Sequence, residues 1–150
     1  MNPIDCPLCR LDQSTVLFAG PHWLAIDAQD PVYPAFTRII WHAHVKEMSD
    51  LTRLERTDLM GVVFEVEAIM RKHLNPDKIN VASLGNQVPH VHWHVIGRWH
   101  NDPTFPDAIW STKAQSADER ARSAAHRKSL ARRLPEYHDA LINHLNGLYS

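Results

Sequence analysis

The segment "NQVPHVHWHVIGRW" (86–99) sets His90, His92 and His94 on alternate positions of one short apolar run. Alternation is the strand signature, because side chains at i, i+2 and i+4 share a face of a β-strand. Val91, Trp93 and Val95 take the opposite face, which reads as core. A fold for this chain must bury one side of the strand and give a row of imidazoles work on the other.

Distance limits that work. Alternate strand residues lie about 6.6 Å apart, so His90 and His94 are separated by about 13 Å. Tetrahedral zinc holds imidazole nitrogens about 2.1 Å from one ion. Two neighbouring histidines can converge on a metal, but three on a straight strand cannot, so at least one is free. With an unperturbed pKa near 6.5, imidazole is mostly a neutral nucleophile or base at neutral pH. Flanking imidazoles can donate hydrogen bonds to phosphate oxygens where charge develops. A central nucleophile with polar neighbours suits attack on phosphorus. The plainer alternative is a solvated edge strand, which the preceding polar turn Gly85-Asn86-Gln87 argues against.

The rest of the chain supplies a frame. "TVLF" (15–18) and "HWLAID" (22–27), separated by Gly20-Pro21, predict a hairpin. "FTRIIW" (36–41) predicts a third strand and "KINVASL" (78–84) a fourth. Leu59, Val63, Val66, Met70 and Leu74 recur at helical spacing and predict an amphipathic helix over 52–74. Thr52 with Glu55 forms a capping-box pattern at its start, and Asn75-Pro76 stops it. Residues 101–115 read as irregular. Ser116 with Glu119 opens a second helix to about Leu134, and Pro135 is expected to start a short third one. No internal repeat or flexible linker is visible.

At 150 residues, with 44% hydrophobic and 22% charged side chains, the chain fits one globular domain. A net charge of −1 gives no global pull toward nucleic acid or anionic membrane. No apolar run approaches the roughly 20 residues of a membrane span, and "MNPIDCPLCR" has no signal-peptide apolar region. A cytoplasmic location is expected. In a reducing compartment the lone pair Cys6 and Cys9, spaced C-x-x-C, suggests metal binding or redox work.

"HVHWHVI" resembles the His-x-His-x-His-x-x signature of the histidine triad family, with x apolar. Neighbouring residues agree with it. Asn80 lies ten residues before the triad, Gly85-Asn86-Gln87-Val88 stands where the family has Gly-Gln-Ser/Thr-Val, and "CPLC" is similar to the start of zinc-bearing bacterial members. "IIWHAH" (39–44) resembles the strand that usually ends Pro-Lys-x-His. The similarity covers about residues 4–100. The order of elements predicts one α+β domain with a C-terminal helical extension, 105–150, packed on it, and the resemblance implies the histidine triad fold over 1–104, an antiparallel sheet with a long amphipathic helix.

The resemblance also implies chemistry. His92 would attack the α-phosphate of a purine nucleotide conjugate or dinucleoside polyphosphate, giving a nucleotidyl-histidine that water hydrolyses. His94 would hydrogen-bond the phosphate, and Asn86 and Gln87 would position its oxygens. Asp27 would meet the ribose, and Asn80 joins the substrate-binding set. A homodimer pairing through the long helix and a strand edge is expected. The alternative reading is a zinc-stabilised nucleotide-binding module without significant turnover. Two departures stand out: Asn86 and Gln87 leave the turn without a hydroxyl to protonate a leaving group, and Gly97 replaces a common proline.

Two thiolates leave zinc under-coordinated, so Cys6 and Cys9 need further ligands. By resemblance these are His44 and His90, which makes the zinc structural and frees His92 and His94. His42, two residues from His44, is the neighbour with which His44 is most easily exchanged. The rivals are a pair of unliganded cysteines and a redox dithiol, although no thioredoxin-like βαβ pattern surrounds the pair. Arg120, Arg122, Arg127, Lys128, Arg132 and Arg133 make a basic patch over 116–134: a solvated helix face, or a surface for polyphosphate or an acidic partner. Nucleic-acid binding is not expected, because no aromatics interleave the patch. Trp110 and Phe105 either border a purine site or pack the extension down.

Overall fold

The computed structural model describes residues 2–150, so Met1 lies outside the described residues. Five strands form one sheet: β1 (Val16–Ala19), β2 (Trp23–Asp27), β3 (Phe36–Trp41), β4 (Lys78–Ala82) and β5 (His92–Arg98). Their spatial order is β1-β2-β3-β5-β4, every neighbouring pair antiparallel. Helix α1 spans Arg53–Leu74 and helix α2 spans Ala117–Tyr149. This is the α+β architecture expected. The β1–β2 connection depends on Gly20, where an added Cβ would run into the Trp23 ring.

Helix α1 begins as its sequence directs. The Thr52 side chain accepts the Glu55 N–H while the Glu55 carboxylate accepts the Thr52 N–H, and the helix ends at Asn75 in the left-handed conformation with φ of 49°. Its buried stripe is Leu59, Val62, Val63, Val66, Ile69, Met70 and Leu74. Full burial of side chains this size stabilises by roughly 1.5–3 kcal/mol each. That stripe meets Ile39, Trp41 and Val95 of the sheet in one continuous core.

Strand alternation and register divide the sheet into two faces. Trp23, Ala25, Asp27, Thr37, Ile39, Trp41 and Val95 lie on the face covered by the helices, where the Thr37 and Tyr137 hydroxyls bond at 2.8 Å. Phe36, Arg38, Ile40, His92, His94, Ile96 and Arg98 lie on the other face. The N-terminal segment and the loop after β5 help cover that face.

Helix α2 corrects the expectation of a break at Pro135. It runs unbroken to Tyr149, although Pro135 has no N–H to give the carbonyl one turn earlier. Buried Leu130, Tyr137, Leu141 and Leu145 lie on both sides of the proline and join the core shared with α1. Packing overrides local propensity here. The strands beside the histidines are shorter than the IIWHAH resemblance and the alternating run of His90, His92 and His94 imply, although β3 keeps the 36–41 bounds that FTRIIW predicts. β3 stops at Trp41, so His42 and His44 do not continue a strand, and β5 starts only at His92. Pro89 cannot donate to a ladder, and the His90 N–H turns back to the Val88 carbonyl at 2.8 Å.

Candidate active site

β5 carries His92 and His94 on the face away from the helices, and both are buried, at 8% and 5% exposure. They line a cavity of about 470 Å³ together with Arg38, Gly85, Asn86, Gln87 and Trp110. That size falls within the roughly 300–1,000 Å³ usual for small-molecule sites. Leu8 and Leu11 of the N-terminal segment give it an apolar wall.

The ring of His92 has one defined tautomer. Its Nδ1 lies 2.6 Å from the His90 carbonyl, and a carbonyl only accepts, so Nδ1 carries the proton and Nε2 the lone pair. Burial holds the His92 pKa below its ordinary value; the hydrogen bond to His90 opposes this and the Arg38 charge reinforces it. His94 is pushed down to about 3, first by burial and then by His92 and Arg38. Both rings are therefore neutral at pH 7. The His94 Nδ1 is buried and makes no hydrogen bond, while the ring meets His92, Phe36 and Trp110 edge-on at 4.8, 5.3 and 5.4 Å between centroids.

His90 turns away from this cavity. Its Nε2 donates to the Trp41 carbonyl at 2.6 Å, which leaves Nδ1 as a lone-pair nitrogen 3.4 Å from the Cys6 sulfur and 3.5 Å from that of Cys9. His44 Nδ1 lies 3.4 Å from the Cys9 sulfur. The ligand atoms of Cys6, Cys9, His44 and His90 all fall within 4.8 Å of one another. A tetrahedron with Zn–S of about 2.3 Å and Zn–N of about 2.05 Å has S···N edges of about 3.6 Å, so this donor set fits a metal. The carbonyl bonded to His90 also orients the ring as a ligand's outer hydrogen bond does. His44, not His42, joins the group.

The other candidates fall in different places. Asn86 and Gln87 are exposed at the cavity mouth. Asn80 is two rungs along on the same face, where its Oδ1 accepts from Arg98 at 2.7 Å. Asp27 pairs in register with Thr37, so alternation sends it to the helix-covered face and it is not among the cavity's lining residues. There it accepts the Gln29 N–H. None of the six basic residues of α2 lines the cavity, and Arg133 instead donates to the His73 carbonyl. Trp110 borders the site, whereas Phe105 packs tilted against His100 with ring centroids 4.5 Å apart.

Two arginines shape the site without having been singled out in the sequence. Arg98, 1% exposed, grips the loop after β5: it donates to Asp102 at 2.7 and 3.0 Å, to Thr104 at 3.2 Å and to the Asp107 carbonyl at 2.8 Å. That grip fixes the segment leading to Trp110. Arg38 faces His94 directly across the β3–β5 ladder. The sequence signal for both was a cation at an even position of an otherwise apolar strand, in register with the histidines.

Comparison with known proteins agrees with this geometry. The HIT domain family profile matches residues 11–101. An AP-4-A phosphorylase of Mycobacterium tuberculosis is 28% identical over 115 residues, covering 73% of this chain and 59% of the relative. The chain thus spans about three-fifths of that relative's length. A bis(5'-adenosyl)-triphosphatase of Dictyostelium discoideum is 27% identical over 122 residues, covering 78% of this chain and 82% of the relative. Among solved structures, a histidine triad protein of Sinorhizobium meliloti superposes with a TM-score of 0.61 at 27% identity, covering 78% of this chain and 92% of the other. One of Marinobacter aquaeolei has the same TM-score of 0.61 at 23% identity, covering 81% and 89%. With triad, fold and family profile in agreement, this chain belongs to the histidine triad (HIT) family.

Proposed function

We propose that the protein is a nucleotide hydrolase or transferase that works through a nucleotidyl-His92 intermediate. The observation that carries this reading is the tautomer of His92: Nδ1–H held by the His90 carbonyl leaves Nε2 as a lone-pair nitrogen in a buried ring that lines the cavity. Nε2 attacks the α-phosphorus, a P–N bond forms, and the bond to the leaving group breaks with its electron pair. Water then attacks the same phosphorus, the P–N bond breaks, and a nucleoside monophosphate leaves as His92 regains its lone pair. His94 and the Asn86 and Gln87 side chains hydrogen-bond the phosphate oxygens as charge builds on them. Trp110 offers a stacking surface to a purine. Asn80 serves through Arg98, and Asp27 has its place outside the phosphate cavity.

Cys6, Cys9, His44 and His90 would hold one structural zinc, which ties the N-terminal segment to the start of β5. The triad domain is read as 1–104 with 105–150 as its packed extension. The assembly proposed is a cytoplasmic homodimer, since β4 is an edge strand and Leu54 and Phe64 of α1 are 82% and 57% exposed. No helix of the described residues is long and apolar enough to cross a membrane.

Diadenosine tetraphosphate and adenosine phosphoramidate, each incubated with the protein and resolved by chromatography, test the activity. AMP release from either supports a hydrolase. A nucleotide that raises the melting temperature with concentration, while neither substrate turns over, supports the rival reading of a binding module. Saturating AMP with no thermal shift and no turnover rejects both.

A further inference from the structure

Apart from its imidazoles, the cavity has one charged side chain, that of Arg38. It comes from β3 opposite His94, on the side of β5 away from the 85–88 turn that follows β4. A phosphate held at His92 and His94 therefore has the amide-bearing turn on one flank and a guanidinium on the other. Among the described residues no carboxylate makes an ion pair with Arg38. The nearest acidic influence is Asp30, whose Oδ1 is committed to the N–H groups of Val32 and Tyr33 at 2.9 and 2.8 Å. The guanidinium carbon lies 4.9 Å from the centroid of Phe36, which supports one side of the fork. Its Nε is buried with no acceptor.

A half-buried, unpaired guanidinium lacks acceptors, and burial of a charge is tolerated when it is paired. Its planar fork matches phosphate oxygens well. The turn at Asn86 and Gln87 has no hydroxyl, and the Nδ1–H of His92 is already committed to the His90 carbonyl. The site therefore has little with which to protonate a departing amine, but it has a fixed cation for a departing anion.

We propose that Arg38 determines leaving-group specificity: its guanidinium binds the phosphates beyond the reacting one, so the site favours nucleotides joined through a polyphosphate chain over phosphoramidates. This rests on the nucleotide reading above. The P–O bond to the chain breaks, its electron pair leaves on a polyphosphate oxygen, and Arg38 stabilises that charge without a proton transfer.

The test compares the wild type with Arg38→Leu and Arg38→Lys. The first readout is kcat/KM on diadenosine tetraphosphate and on adenosine phosphoramidate. Arg38→Leu is expected to lose at least tenfold more on the polyphosphate than on the phosphoramidate, and Arg38→Lys to fall between. Equal loss on both substrates, or a change in base preference alone, overturns the proposal. The second readout is binding of AMP and of a methylene-bridged diadenosine tetraphosphate analogue. The wild type should prefer the analogue and Arg38→Leu should lose that preference; an analogue bound no better than AMP by the wild type also overturns it. If neither substrate is turned over but the Arg38-dependent preference remains, the hydrolase reading fails and the assignment of Arg38 stands.

Discussion

The Nδ1–H of His92 donates to the carbonyl of His90 across 2.6 Å, while the His90 ring turns the other way toward Cys6 and Cys9. One residue's backbone thus orients the candidate nucleophile, and its side chain ties the same point to the N-terminal segment. Two histidines that are equivalent in sequence pattern become different in chemistry.

If Nε2 of His92 is the nucleophile, His92→Asn should abolish turnover with fold and metal content intact, because His92 belongs to the cavity and not to the Cys/His group. His94→Asn should slow turnover by roughly 10²–10³-fold, the usual cost of one lost donor to a developing oxyanion. Acid-labile, base-stable phosphorus label trapped on His92 by rapid quenching checks the covalent route. Near-normal turnover by His92→Asn would eliminate it.

The Cys/His group gives a metal prediction. Purified protein should carry about one zinc per chain, by elemental analysis. Structural zinc is worth on the order of 10 kcal/mol in small peptides, and less is expected where a large core stands beside it. Cys9→Ser should lose the metal and lower the melting temperature by several degrees, and a chelator should do the same to the wild type. Unchanged melting after complete metal removal would refute a structural role.

Arg98 predicts how the loop depends on a buried charge. Arg98→Met strands Asp102, 7% exposed at its side chain, without its partner, and breaking such a pair costs roughly 3–5 kcal/mol. The variant should unfold at lower urea concentration, and proteolysis should become faster within 99–116. Because Trp110 lies beyond that clamp, KM should also rise. A variant that is less stable but binds nucleotide as before would sever the clamp from the site.

Much of the fold was legible because periodicity survives folding where burial is one-sided. FTRIIW is β3 end to end, and the Thr52 and Ser116 capping boxes both form. Pro135 misled because a proline's local cost is visible in sequence whereas the buried Tyr137, Leu141 and Leu145 that repay it are long-range. The clustering of Cys6, Cys9 and His90 with a fourth histidine was legible from spacing and resemblance, but the choice of His44 over His42 needed the chain to leave β3 at Trp41. Asp27 shows the limit most clearly: its place at a strand end was legible, and its face was set only by the Asp27–Thr37 register. Arg38 went unremarked because one cation in an apolar strand gains meaning only from what stands opposite.

His94 fixes the sign of an acid-stability effect. Burial, then His92 and Arg38, push its folded pKa down to about 3, below the 6.5 of an unfolded chain. The unfolded state therefore binds a proton that the folded state refuses. The contribution of His94 is complete above about pH 6.5 and is lost as pH falls toward 3, with a limiting slope of about 1.4 kcal/mol per pH unit. Urea unfolding of wild type and His94→Asn at pH 7.5, 5.5 and 4.5 isolates it, because the other titrating groups are common to both proteins. The wild type should lose more stability than the variant on acidification, with the gap between the two curves changing chiefly below pH 6.5. Parallel curves would mean that His94 is free to protonate in the folded protein.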